Sequence, residues 1–228
     1  MQLRNVAFMT VAAALSVFML ASAATAQQFY AEGQISRTQM QDVDGGVAGA
    51  VGGWSGAVST TLEYDPSIEY GIELGARAIG GTRFRVGLGY SQFEAELDKG
   101  TGSAAVSYNG TVLLSAAGSF TGAEAQNAGF NFDNKVKVYS LNGYYDFDGG
   151  KGLTPYLGLG MGFARIENAK AKELMVAAHA GVNYDLTESL YIGVRGSVRR
   201  IAGPTDKLEI NYDDITTWSV GAVLGVKF

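Results

Sequence analysis
In eight segments between Phe29 and the final residue, apolar and polar side chains alternate with a period of two, the period of a β-strand. In Ile68–Ala78 the alternation is unbroken. Ile68, Tyr70, Ile72, Leu74 and Ala76 share one face; Glu69, Gly71, Glu73, Gly75 and Arg77 share the other. The same signature marks Phe29–Arg37, Arg83–Leu97, Thr154–Ile166, Glu173–Asp185 and Leu190–Ala202, and less regularly Lys135–Phe147. The last segment, Ile215–Phe228, sets Trp218, Val220, Ala222, Leu224, Val226 and Phe228 against Ser219, Gly221, Gly225 and Lys227, with Val223 as the exception. These are eight predicted strands. The connections Ile79–Thr82, Asp148–Leu153 and Leu186–Ser189 are short, whereas Thr38–Ser67 and Asp98–Asn134 are long. An even number of antiparallel strands with short turns at one end and longer loops at the other predicts an all-β fold, an eight-stranded up-and-down barrel.

The first residues follow a different rule. Arg4 precedes an apolar run from Val6 to Ala21, and Ala24-Thr25-Ala26 follows it. This is the layout of a cleavable secretory signal peptide, cut after Ala26 and before Gln27. The expected organisation is therefore a signal peptide over residues 1–26 and one barrel domain over 27–228. The apolar run falls short of the roughly 20 residues a spanning helix needs. No later stretch is continuously apolar, so the mature chain could enter a membrane only as a closed barrel.

Composition narrows the partners. The 228 residues carry 17 basic and 22 acidic side chains, a net charge of −5, with no basic run, which argues against nucleic acid. With no cysteine, disulfides and thiolate metal sites are excluded. Glycine, at 32 residues against three prolines, is far above its usual share of about 7%.

A soluble barrel also alternates, but hides its apolar face inside. Three features predict the inverse. The polar face is rich in glycine (Gly71, Gly75, Gly87, Gly89, Gly158, Gly160, Gly162), which weakens a solvated strand but makes room inside a narrow barrel. Tyr70, Tyr90, Tyr184 and Trp218 recur near the ends of the apolar rows, as an interfacial girdle would. The charges on the polar face nearly cancel. Glu32, Glu69, Glu73, Asp146 and Asp185 stand against Arg77, Arg83, Arg85, Arg195, Arg199 and Lys227. Charges hidden from water must be paired, so these residues are expected to form an ion-pair network in the lumen of a transmembrane barrel.

With these residues in view, the chain resembles the small outer-membrane β-barrels of Gram-negative bacteria, the group of opacity proteins and the OmpA transmembrane domain. The resemblance rests on the opening Gln28-Phe-Tyr-Ala-Glu-Gly33 and on Tyr70–Arg77 followed by Arg83–Tyr90. It rests also on Tyr144-Tyr-Asp-Phe147, Thr154–Gly162 and the terminal Phe228. It covers the whole predicted mature chain and implies an outer-membrane location reached through the periplasm, with both termini on the periplasmic side. It further implies that Trp218, Val220, Leu224, Val226 and Phe228 form the signal read by the barrel-assembly machinery. Such barrels serve as adhesins, surface antigens, structural anchors or minor pores, so the resemblance specifies architecture far more than function.

The search for chemistry is mostly negative. His179 is the single histidine and is expected in the lumen, which leaves no multi-histidine metal site. As the base of a lipid-modifying enzyme it would need a serine and an acid beside it, and no Gly-x-Ser-x-Gly elbow exists. Asp42-Val-Asp-Gly45 and Asp146-Phe-Asp-Gly149 echo a calcium loop, but Gly53 and Leu157 stand where its closing glutamate belongs. No cofactor is expected. The expected function is non-catalytic display of surface loops for envelope integrity, adhesion or host contact. The alternatives are a minor small-solute pore and, further off, a lipid-modifying enzyme. Expected partners are outer-membrane lipid and lipopolysaccharide, and a surface ligand through residues 38–67 and 98–134. Within the second loop, Asn109-Gly110 signals a hairpin turn, weighed against a mobile low-complexity loop. Asp206, Glu209, Asp213 and Asp214, beside Lys207, make the last loop acidic.

Overall fold
The computed structural model describes residues 27–78, 83–129, 132–205 and 210–228. The predicted cleavage residues Ala24 and Ala26, the turn at 79–82, and Asp206, Lys207 and Glu209 lie outside them. In chain order the strands are β1 (Gln27–Met40), β2 (Val43–Val51), β3 (Trp54–Tyr64), β4 (Ser67–Ala78), β5 (Phe84–Ala95), β6 (Leu97–Tyr108) and β7 (Thr111–Thr121). A short helix α1 (Gly122–Asn127) follows, started by a capping box between Thr121 and Glu124. Then come β8 (Asn134–Asp146), β9 (Leu153–Ile166), β10 (Lys172–Asp185), β11 (Leu190–Ile201), β12 (Asn211–Tyr212) and β13 (Ile215–Lys227).

Eight of these close a barrel in the order β1-β13-β11-β10-β9-β8-β5-β4, with antiparallel neighbours throughout. They are the eight predicted strands. Closure is made by the two chain ends. Phe29 and Phe228 exchange backbone hydrogen bonds of 2.9 Å in both directions, and their rings stack at 6.3 Å. A closed barrel satisfies every strand edge, as lipid requires.

The faces are inverted relative to a soluble protein. Leu74, Leu88, Leu159 and Val194 are 58–72% exposed, while Glu69, Glu73 and Arg195 on the opposite parity are 5% exposed or less. The inversion holds only part of the way along each strand. On β8, Tyr139 faces out and Ser140 in; two residues nearer the loops, Lys137 faces out and Val138 in. On β9, Phe163 gives way to Arg165 outside while Ala164 and Ile166 are buried. The loop end of the barrel thus behaves as a water-soluble one, wet outside and apolar within. Its core joins Met40, Phe93, Val136, Ile166, Met175 and Ile201 to Leu62 and Tyr64 from the outer sheet. The polar lumen predicted by the sequence is therefore only one storey of the barrel, because the loop end stands in water and hides apolar side chains inside instead.

The two long connections are not separate loops. Residues 43–64 form the hairpin β2–β3, turned at Gly52 and Gly53, whose φ of 59° and 86° fall in the left-handed region. Residues 97–121 form the hairpin β6–β7, turned at Asn109-Gly110 with φ of 45° and 81°, the sign at both positions that a type I′ turn demands. Pairing of β3 with β6 fuses them into one sheet of order β12-β2-β3-β6-β7 beyond the barrel.

Candidate functional site
The lumen is built on tyrosine–glycine pairs. Tyr30 lies directly across from Gly75, Tyr144 from Gly158, Tyr156 from Gly181 and Tyr191 from Gly225. A Cβ at any of these glycines would run into the facing ring. Each ring therefore lies flat over its glycine and sends its hydroxyl inward. The glycines make room for aromatic rings first, and the rings then hold the charges.

Two carboxylates form the centre. Glu32 accepts from Arg85 Nη1 at 3.0 Å, from the Tyr191 hydroxyl at 2.7 Å and from Arg195 Nη2. Glu73 accepts from Tyr30, Tyr144 and Asn142, each at 2.7 Å, with Arg195 Nη1 at 3.8 Å. The Arg85 guanidinium stacks on Tyr144 at 4.6 Å and Tyr156 at 4.9 Å. Toward the termini, Asp146 bridges Arg77 at 2.6 Å and Arg85 Nε at 3.0 Å, and Lys227 reaches Asp185 at 2.6 Å. Toward the loops, Arg199 grips both oxygens of Glu69 at 2.7 and 2.9 Å, and Thr38 donates to it at 2.6 Å. A bidentate, hydrogen-bonded pair is the geometry that offsets the desolvation of two buried charges.

Of the residues predicted for the network, Glu32, Glu69, Glu73, Arg85, Arg195 and Arg199 are buried together, and Arg77 joins them partly exposed. Arg83 does not. It precedes β5 at the open end, is about half exposed, and only approaches the exposed Asp148 at 3.8 Å. With water at hand it has no need of a buried partner. Tyr156 and the ring-over-glycine pairing were missed; a tyrosine facing a glycine across a ladder shows only once register is known. Trp218, Val220, Leu224 and Val226 on β13 and Phe228 just past it project outward, 43–69% exposed. Gln27 begins β1 opposite Ala78.

His179 is buried in the lumen with Nδ1 2.8 Å from Ser197 Oγ. Its Nε2 has no hydrogen-bond partner, so no acid completes a triad. No group of residues suited to hold a metal ion occurs among the described residues. The space left beside His179 is about 30 Å³ and that beside Tyr191 about 20 Å³, room for single waters. Burial in the apolar roof above the network pushes the Tyr64 hydroxyl up to about 12.

Beyond the barrel the outer sheet carries no charged residue from Gly45 to Leu62 or from Gly100 to Ala123. The Asn109 amide donates to the Gly53 carbonyl at 2.8 Å and Trp54 packs on Tyr108 at 4.9 Å, fastening the two hairpin tips together. Around them Val51 is 83% exposed and Leu114 67%.

A sequence profile of the family described as surface antigen matches residues 22–221. No curated protein matches the chain. Among solved structures, Neisserial surface protein A is similar at a TM-score of 0.52 and 15% identity, over 88% of this chain and 97% of that one. The outer membrane protein OprG of Pseudomonas aeruginosa gives 0.44 and 17%, over 90% and 97%. Ail, the attachment invasion locus protein of Yersinia pestis, solved with a heparin analogue, gives 0.39 and 10%, over 89% and 99%. Of these three, Neisserial surface protein A alone is near enough to show a shared fold.

Proposed function
This chain belongs to the surface antigen family and resides in the Gram-negative outer membrane, and on that premise we propose that it is a non-catalytic barrel that displays a contact surface to the cell exterior. The contact is made by the sheet built from residues 43–64 and 97–121, and the barrel serves to hold that sheet upright. The observation that carries this reading is the charge-free outer part of the sheet, residues 45–62 and 100–121, with its exposed aliphatic and aromatic tip. A large exposed apolar patch is costly in water and marks a surface that meets something. Support also comes from the lumen, where tyrosines, ion pairs and an apolar roof leave water-sized gaps beside Tyr191 and His179. A catalytic reading draws no support from His179, whose only polar partner among the described residues is Ser197, deep inside the barrel.

The test removes the tip and keeps the barrel. Cells displaying the intact protein should adhere to hexadecane droplets more than cells displaying a variant in which residues 101–119 are replaced by a short Gly-Gly turn. Both proteins should run as heat-modifiable barrels on gels. Equal adhesion by the two strains would remove the display reading.

A further inference from the structure
On the outer wall of the barrel, three cations stand side by side. Lys137 on β8 is directly opposite Arg165 on β9, and Arg165 is directly opposite Lys172 on β10. All three share the outward parity of Tyr139, Phe163 and Leu174; Arg165 and Lys172 are exposed and Lys137 partly so. Facing like charges destabilise a ladder. Among the described residues none of the three forms an ion pair: Glu167, two residues past Arg165, lies across from Lys135, and Glu173 shares the inward parity of the buried Met175. Glu94 is taken by Lys135 at 2.9 Å, and Asp214 by Arg200 at 2.9 Å. Three cations facing one another across adjacent strands, with no ion pair among the described residues, point to an anion that is not part of the protein.

The depth of the row says what kind of anion. One step toward the barrel middle, the same ladders carry Tyr90 opposite Tyr139 and Tyr139 opposite Phe163, with the two tyrosine rings 5.2 Å apart. Such an aromatic row marks the boundary between acyl chains and headgroups. Below it the wall is apolar; above it begin the charges and the wet exterior of the barrel. The cations therefore sit where a membrane carries its phosphates. Adjacent strands are about 4.8 Å apart, so the row spans roughly 10 Å, with the planar fork of Arg165 at its centre.

We propose that the row Lys137–Arg165–Lys172 is a binding site for the phosphorylated headgroup of an outer-leaflet glycolipid, with the acyl chains lying against the aromatic row beneath. The proposal rests on the display reading for its orientation, since that reading puts the loop end of the barrel at the cell surface. The arginine fork takes one phosphate in bidentate fashion, and the flanking lysines supply point charges to it and to a second phosphate.

The probe is diphosphoryl lipid A, titrated into the folded protein in dodecyl maltoside micelles. The wild-type barrel is expected to bind it saturably. The triple variant Lys137→Gln, Arg165→Gln, Lys172→Gln should bind on the order of a hundredfold more weakly while keeping its heat-modifiable mobility. Dephosphorylated lipid A should bind both proteins equally weakly. A second variant, Arg165→Glu, places a carboxylate between two lysines; it should unfold at a higher temperature than wild type without lipid, and lose the response to lipid A. Wild-type affinity for lipid A in either variant overturns the proposal. So does binding of inorganic phosphate as tight as that of lipid A, which would replace the glycolipid by a free anion. Proteolysis of the loops on intact cells tests orientation separately: protected loops would sink the display reading, while the micelle titration would still report on the row.

Discussion
Glu32 shows how much one carboxylate can hold. It receives two guanidinium groups and a phenol in a space closed to water. Replacing it with glutamine keeps the shape and removes the charge, leaving Arg85 and Arg195 short of a counter-ion. Glu32→Gln should cost about 3–5 kcal/mol, measured by urea unfolding of the refolded barrel in micelles. Loss of less than 1 kcal/mol would mean that water reaches the site. The existence of such a network was readable from the near balance of acids and bases on the polar parity. Its wiring was not. Glu73 could as well have served Arg85, and it instead takes two tyrosines and Asn142, because the strand stagger brings Tyr30 and Tyr144 to it. The role of the glycines was half legible for the same reason. Their face was plain, but the ring filling each gap belongs to another strand.

Strands and hairpins were legible where one environment covers the whole element. β4 and β13 alternate cleanly because most of each lies against lipid on one side and lumen on the other. β8 looked irregular because it crosses a boundary. Its outer end reads Lys135, Val136, Lys137, Val138, with charge outside and valine inside, and its inner end reads Tyr139, Ser140, Leu141, Asn142, with the opposite sense. The phase of the side chains never changes; the solvent does. The first outer hairpin was invisible for want of alternation, since alanine, glycine and serine carry little contrast, whereas Asn109-Gly110 announced the second. That turn offers a test. Gly110 has a φ of 81°, a conformation that costs a β-branched residue about 1 kcal/mol or more. Gly110→Val should speed limited proteolysis between Tyr108 and Val112 several-fold and leave the barrel fragment intact. An unchanged cleavage pattern would mean that the tip gains nothing from its turn geometry.

Taken together, the elements make a plugged cylinder with a sheet above it. The charged storey, the ring-over-glycine packing and the apolar roof fill the lumen in succession, so the purified protein should show negligible single-channel conductance in planar bilayers. Stable openings of porin size would refute this. Chain order and alternation, both local properties, were enough to establish eight barrel strands, because side-chain direction along a strand follows from the pleat alone, and glycine placement, aromatic row ends and balanced charge then turned the aliphatic faces to lipid. What they could not decide was anything that depends on which strand stands beside which, and at what stagger. The union of the two long connections into one sheet, the partners of each buried charge and the row of facing cations on the outer wall all arise from cross-strand register. Register is set by barrel closure and shear, which join residues as far apart as Tyr191 and Glu32, and no short window of sequence contains both.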